Sequence, residues 1–147
     1  NYDFYQTVTL HHSSLSTCIF GILASRIGRH EDAYTYFAQS ARMDLDDYHD
    51  NFYAGIHAAN MAGTWQSIVF GFAGLRLVNG VPEFKFYIPE AWNGYHFTVK
   101  IKESVLTVDV LPDGWTITLQ SGDFVNFLVD GKPYELTEKG ATCHEAL

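Results

Sequence analysis

Two short clusters in the sequence combine residue types that bind anions. One spans residues 9–16 and the other residues 55–66, and each precedes or opens a predicted helix. Helix N-termini present backbone N–H groups without intrahelical partners at the positive end of the helix dipole, and nearby hydroxyl and imidazole groups would complete a phosphate site. Helix capping by the serines and burial of the histidines would explain the same residues without a ligand, so the residues alone leave both interpretations open. The candidate phosphate-binding residues are Ser13, Ser14, His57, Gly63 and Thr64.

Other catalytic chemistry has little support in the sequence. The chain contains no G-x-S-x-G, no Walker-type glycine loop, no H-E-x-x-H and no C-x-x-C pair. Four aspartates between residues 44 and 50 lack the glycine and the terminal glutamate of an EF-hand, so we expect a solvated loop rather than a calcium site. Glycoside cleavage needs two carboxyl groups, or one acid and an external nucleophile. We predict neither a catalytic residue nor a metal site in this chain.

Composition excludes several classes of partner. The chain has nine Lys and Arg against 17 Asp and Glu, giving a net charge of −8, so we expect neither a nucleic-acid nor an anionic-membrane partner. Its hydrophobic fraction of 47% is sufficient for a packed core. Cys18 falls on a predicted helix and Cys143 in a polar tail, so a disulfide is not expected. Two unpaired thiols and no signal peptide predict a cytoplasmic protein.

The first half of the chain has helical periodicity. Apolar spacing predicts helices over residues 14–26, 31–45 and 58–77, with Ser14 capping the first and Gly28 ending it. The third is apolar on nearly all sides, and two short helices cannot cover it, so further protein is expected to pack on it. The first helix is expected to bury one apolar stripe, made of Leu15, Cys18, Ile19, Ile22, Leu23 and Ile27.

The second half alternates with the period of β-strands. Turn residues such as Asp113-Gly114 and Asp130-Gly131 separate the segments. The sequence therefore predicts an α+β chain: helices in residues 1–80, then a small antiparallel β-sandwich in residues 81–147. The predicted strands are residues 84–88, 96–101, 105–111, 115–120, 126–129 and 134–137.

The motifs, taken in order, resemble the glycoside hydrolase family that contains the maltose, trehalose and kojibiose phosphorylases. The segment Thr9–Ser16 ends in S-S-L-S, and Gly55–Trp65 is similar to the G-I-H-x-A-x-x-G-G-x-W run of that family. Ala33, Phe37, Asp44 and Leu45 match the segment between these two. The run V-x-G-F-A-G-L-R at residues 69–76 and a P-x-x-W element at residues 89–92 complete the match.

The resemblance implies the last helices of an (α/α)6 catalytic barrel followed by a C-terminal β-sandwich. It implies inverting phosphorolysis, in which inorganic phosphate attacks an α-linked glucosyl disaccharide to give β-glucose 1-phosphate, with no other cofactor. It places Ser13, Ser14 and His57 at the phosphate, with the backbone of Gly63 and Thr64 close by, and it places the general acid Glu upstream of residue 1. It also implies a homodimer. The isolated 147-residue chain, separated from the rest of the barrel, is then expected to be inactive.

Two alternatives remain at this point. A trehalase-like hydrolase of the same superfamily would use water instead of phosphate, and Ala62, where the family has glycine, leaves this alternative open. A non-catalytic carbohydrate-binding module would require exposed, coplanar aromatic rings in the β portion. The rings proposed for that role are Trp92, Tyr95 and Trp115.

Overall fold

The chain divides into a helical unit, Asn1–Phe72, and a β unit, Ala73–Leu147. The computed structural model describes residues 1–10, 13–48, 50 and 52–147. The histidines at positions 11, 12 and 49, which the sequence placed in or near candidate sites, lie outside the described residues.

The helical unit confirms the three predicted helices and adds a short one before them. The third helix is shorter than expected: it continues as a π-helix over Ser67–Phe72 and ends there, because Arg76–Val78 is already a strand. In the described part of the chain, no helix is long and apolar enough to cross a membrane. The helices are α1 (Tyr2–Val8), α2 (Ser14–Arg26), α3 (His30–Arg42) and α4 (Ala58–Gln66), with a 3₁₀ turn at Phe52–Ala54.

The buried face of α2 differs from the predicted stripe. Cys18 and Ile22 are buried as expected, but the other four apolar residues of the stripe are 42–54% exposed. The residues that contact α3 and α4 are mostly small, because small side chains let helix backbones approach closely: a methyl group at Gly21 would lie 3.3 Å from Cβ of Tyr36. The buried residues of α2 are Thr17, Cys18, Phe20, Gly21, Ile22 and Ala24.

Helices α2 and α4 run parallel to one another. A methyl group at Gly63 would lie 2.6 Å from the Cys18 sulfur, and further along both helices the Ser25 hydroxyl donates to the Gly71 carbonyl at 2.8 Å. Because residue numbers increase together along the contact, the N-termini of α2 and α4 lie at the same end of the pair. Helix α3 runs the other way, since Gly28, with φ of 78°, turns the chain back after α2.

The β unit contains two four-stranded sheets, ordered β1-β2-β6-β7 and β3-β4-β5-β8. Neighbouring strands are antiparallel except for the parallel pair β2 and β6. The strands are β1 (Arg76–Val78), β2 (Val81–Phe84), β3 (Tyr95–Ile101), β4 (Ser104–Leu111), β5 (Gly114–Ser121), β6 (Val125–Val129), β7 (Lys132–Leu136) and β8 (Thr142–Glu145).

Most predicted strands are confirmed, and three differences have local causes. The expected strand at residues 84–88 lies earlier, at Val81–Phe84, and residues 85–88 are not in a strand. Strand β1 was missed although Asn79-Gly80, with φ of 52° and 80°, is a strong hairpin signal. Strand β8 was missed because its sequence is polar, and it pairs with only one neighbour, β5.

Alternation along the strands builds the core of the β unit. On β4, Leu106, Val108 and Val110 are fully buried while the residues between them are partly exposed. The ring of Trp115 on β5 meets that of Tyr134 on β7 edge-on, with centroids 5.2 Å apart, which joins the two sheets. The result is a β-sandwich.

Two hairpin glycines provide a test of this packing. Gly131 has φ of 78° with open space around a Cβ position, so we expect Gly131→Ala to destabilise by only about 1 kcal/mol from backbone strain. At Gly114 a Cβ would collide with the Glu145 carbonyl oxygen of β8, so Gly114→Ala should cost about 3 kcal/mol or more. Urea or thermal unfolding of the two variants measures the difference. Equal losses would contradict the close approach of β8 to β5.

Candidate phosphate site

Ser13 and Ser14 lie at the N-terminus of α2. The N-cap is Ser13 rather than the expected Ser14, and the Ser13 hydroxyl accepts a hydrogen bond from the Leu15 N–H at 3.4 Å. Ser14 is the first residue of the helix. The serines therefore occupy the positive end of a 13-residue helix, where an anion is stabilised by the dipole and by N–H groups.

His57 is the N-cap residue of α4, and Asp44 contacts it twice. One carboxylate oxygen of Asp44 lies 2.6 Å from Nδ1 of the His57 ring, and the other accepts the His57 backbone N–H at 3.0 Å. The hydrogen bond with the imidazole, assisted by the one from the backbone, holds the pKa of the Asp44 carboxyl below its ordinary value. Asp44 is therefore ionised at neutral pH and fixes both the main chain and the ring of His57.

Gly63 lies at the contact between α4 and α2. Gly63 is buried, and a methyl group in place of its α-hydrogen would lie 2.6 Å from Sγ and 3.0 Å from Cβ of Cys18. The Cys18 thiol itself donates to the Leu15 carbonyl at 3.1 Å. The structure gives Gly63 a packing role that requires the absence of a side chain.

Thr64 takes part in a polar cluster between α3 and α4. Its hydroxyl donates to the Asn60 carbonyl at 3.0 Å and lies 3.0 Å from the hydroxyl of Ser40. Ser40 donates to the Asn60 side chain at 2.8 Å, and the Asn60 amide donates back to the Ser40 carbonyl at 2.7 Å. Because Ser40 and Asn60 are 1% and 2% exposed, these bonds satisfy polar groups that would otherwise be costly to bury.

The five candidate residues thus separate into two groups. Ser13, Ser14 and His57 are at the N-termini of parallel helices, whereas Gly63 and Thr64 lie almost two turns along α4 in its packed faces. Counting from the contact of Gly63 with Cys18 at about 1.5 Å per residue, Ser13 lies about 7.5 Å and His57 about 9 Å before it, so the two N-termini are at nearly the same height. The axes of helices in contact are about 8–10 Å apart, so the two positive helix ends lie side by side at one end of the pair.

Sequence reasoning missed Asp44 because the whole acidic loop was expected to be solvated. Asp46 fits that expectation, since it pairs with exposed Arg42 on the surface, with 2.5 Å between Nη2 and Oδ1. Only the match of Asp44 to the family pattern separated the two aspartates. Among the described residues, no three His, Cys, Asp or Glu side chains are grouped as metal ligands.

The aromatic residues proposed for sugar stacking do not form an exposed platform. Trp115 is 3% exposed and packs in the sandwich core, and the rings of Trp92 and Tyr95 meet at 70° instead of lying coplanar. Burial also raises the pKa of the Tyr95 phenol well above its ordinary value. These rings stabilise the β unit.

Substitution of Gly63 tests whether its role is packing. Gly63→Ala should destabilise the protein by about 1–3 kcal/mol, because the new methyl group forces α2 and α4 apart. Adding Cys18→Ala removes the sulfur that the methyl would strike, so the double variant should recover part of the loss in thermal unfolding. The packing role would be wrong if Gly63→Ala weakened phosphate binding without changing stability, and if adding Cys18→Ala did not restore phosphate binding.

The chain is similar to known proteins along nearly its whole length. Residues 1–66 match the sequence profile of the glycosyl hydrolase family 65 central catalytic domain, and residues 75–136 match that of the family 65 C-terminal domain. The α,α-trehalose phosphorylase of Thermoanaerobacter brockii is 44% identical over 95% of this chain, and that of Geobacillus stearothermophilus is 40% identical over 94%. A kojibiose phosphorylase of Caldanaerobacter subterraneus subsp. tengcongensis is 38% identical over 92% of the chain.

One solved structure is that of a human-microbiome protein provisionally named as a kojibiose phosphorylase. It covers 100% of this chain with a TM-score of 0.90 and 38% sequence identity. The chain spans 18% of the length of each of these curated relatives and 20% of that structure. Both family profiles match in order, with helices in the catalytic-domain segment and a β-sandwich in the C-terminal one. The chain belongs to glycoside hydrolase family 65, from the closing helices of its (α/α)6 barrel through its C-terminal β-sandwich.

Proposed function

We propose that this chain is the C-terminal part of an inverting disaccharide phosphorylase, and that its helical unit supplies the phosphate site. The observation that carries the proposal is the parallel pair α2 and α4, whose N-termini bring Ser13, Ser14 and His57 to one end. The phosphorylase names of the relatives support it.

The chemistry needs from these residues only binding and orientation. A phosphate oxygen attacks the anomeric carbon of an α-linked glucosyl unit, the glycosidic C–O bond breaks, and a carboxylic acid outside these residues protonates the departing oxygen. The product is β-glucose 1-phosphate. Because the nucleophile is already an anion, no base carboxylate is required, and neither cluster, residues 9–16 or residues 55–66, contains an Asp or Glu. The serine hydroxyls, the His57 ring and two helix termini are all suited to hold that anion.

The remaining barrel helices are proposed as the partner of the helical unit. Leu15, Ile19, Leu23 and Ile27 leave an apolar stripe on α2, and Met61 and Trp65 are 59% and 44% exposed on α4. Burial of such a surface is strongly favourable, and helices of the same barrel are its natural cover. Dimer formation and a cytoplasmic location are also part of the proposal; free Cys18 and Cys143 suit a reducing compartment.

An assay of the full-length enzyme tests the function directly. With α,α-trehalose, kojibiose or maltose, we expect β-glucose 1-phosphate to form only when phosphate is present, and the 147-residue chain alone to be inactive. Release of two free sugars at the same rate without phosphate would favour the trehalase-like hydrolase. Activity of the isolated chain would show that no external acid is needed.

Substitution of His57 tests the site. His57→Ala in the full-length enzyme should raise the KM for phosphate about tenfold or more, through loss of a charge-assisted hydrogen bond, while the KM for the disaccharide changes little. His96→Ala, which removes an exposed histidine from β3, is the matched control and should leave both values unchanged. Equal effects of the two substitutions would exclude His57 from the phosphate site.

A further inference from the structure

The sheet β3-β4-β5-β8 carries a row of polar side chains on its outer face. The buried residues of β4 alternate with residues on the opposite face, and Asp109 is one of the latter. In the register of the sheet, Asp109 is the partner of Thr116 on β5, and Thr116 is the partner of His144 on β8. Cross-strand partners share a face and neighbouring strands lie about 4.8 Å apart, so the three side chains form a row about 10 Å long.

The row borders a cleft of about 190 Å³ at the end of the sheet where β4 turns into β5. Gly114 and Ala146 lie beside one another there, since a methyl group at Gly114 would lie 3.2 Å from the Cα atom of Ala146. Because neither residue has a large side chain, the surface of the sheet is recessed between larger neighbours. Leu111, which is 50% exposed, gives the cleft an apolar rim, and Asp113 in the turn adds a second carboxylate to Asp109.

These two carboxylates have no partner in the part of the chain that the structure describes. Asp109 is half-buried, and neither it nor Asp113 forms an ion pair or a side-chain hydrogen bond with another described residue. Glu145, the third carboxylate that lines the cleft, differs because it pairs with Lys132. A carboxylate that is partly removed from water gains most from hydrogen-bond donors, so the cleft offers a donor-rich ligand two acceptors that the protein itself does not use.

Acceptors beside an apolar rim select one class of ligand. A sugar ring presents hydroxyl donors around its edge and C–H groups on its faces. The hydroxyls can donate to Asp109 and bond with the hydroxyl of Thr116, while one face of the ring packs on Leu111. A small cation would use only the carboxylates and gain nothing from Leu111. Clefts for drug-sized ligands begin at about 300 Å³, so this smaller one has room for a single sugar ring.

We propose that this cleft binds one glucosyl ring of an α-linked oligosaccharide or polysaccharide, through Asp109, Thr116 and Leu111. The choice of an α-glucoside rests on the proposed function, whereas the recess, its unpaired acceptors and its apolar rim do not. The proposed site differs from a stacking platform, because its specificity comes from hydrogen bonds to carboxylates and not from aromatic rings. Solvation is the competing explanation, since the outer face of an antiparallel sheet is commonly polar without binding a ligand.

Affinity electrophoresis of the full-length enzyme tests the proposal. Mobility in a native gel that contains soluble starch is divided by mobility in a starch-free gel, so that a change in protein charge cancels. The ratio at several starch concentrations gives an apparent Kd. Asp109→Ala should raise this Kd about tenfold or more, through loss of charge-assisted hydrogen bonds. The kcat and the KM for the disaccharide should stay unchanged, because Asp109 has no part in phosphorolysis.

Two threonines of β5 provide a matched pair of variants. Thr116→Val and Thr118→Val remove the same hydroxyl from the same face of the same strand, and valine keeps the β-branched shape. Thr118 lies in the next row, between Thr107 and Thr142, and does not line the cleft. Thr116→Val should raise the Kd for starch about threefold to tenfold, and Thr118→Val should leave it unchanged. Equal effects would overturn the proposal, and this pair decides the question if Asp109→Ala fails to fold.

The remaining outcomes also discriminate. If starch does not slow the unsubstituted enzyme, or slows Asp109→Ala equally, the cleft is not a saccharide site. Binding of a fluorescent oligolysine to the unsubstituted enzyme but not to Asp109→Ala, with no retardation by starch, would assign the cleft to a cationic partner. Failure of the proposed function has a different signature: no glucose 1-phosphate forms, while retardation by starch and its loss in Asp109→Ala persist.

Discussion

The close contact between α2 and α4 is the constraint on which the helical unit depends. Gly63 and Gly71 remove side chains where α4 and its π-helical extension meet Cys18 and Ile22, so the two backbones approach closely. The hydrogen bond from Ser25 to the Gly71 carbonyl fixes the register of the same contact. Because the helices are parallel in this register, their positive ends coincide, and the candidate phosphate site follows from packing at the other end of the contact.

Polar interactions also fix the positions of α3 and α4. The buried cluster of Ser40, Asn60 and Thr64 joins α3 to α4, and each polar group within it has a partner. Asp44, just beyond α3, reaches the N-terminus of α4 and fixes His57. Helix α3 therefore contributes to the candidate site although it has no N-terminus there, because it sets the position of α4 and is followed by Asp44, which contacts the imidazole.

Sequence patterns predicted local structure better than they predicted contacts between residues that are distant in the sequence. Periodicity gave the bounds of α2 and most β-strands, since these depend on caps, turn residues and alternation that are local in the chain. The same periodicity gave the wrong buried stripe on α2, because Leu15 and Ile19 are the more hydrophobic residues, while Gly21 and Ala24 are the ones that permit close packing. Strand β8 was not predicted because its own sequence is polar. It is a strand because it pairs with β5.

The sequence by itself determined the α+β class, the order of the elements, the family and the presence of Ser13, Ser14 and His57 at helix N-termini. Only the tertiary structure showed which of the candidate phosphate-binding residues lie at the same end of the helices. It placed Gly63 and Thr64 in the contacts between helices, and it showed that Asp44 contacts His57 whereas Asp46 pairs with Arg42. The physical reason is that contacts between residues 13 or more positions apart, such as Asp44 with His57, depend on how helices pack and not on the local pattern that each helix carries.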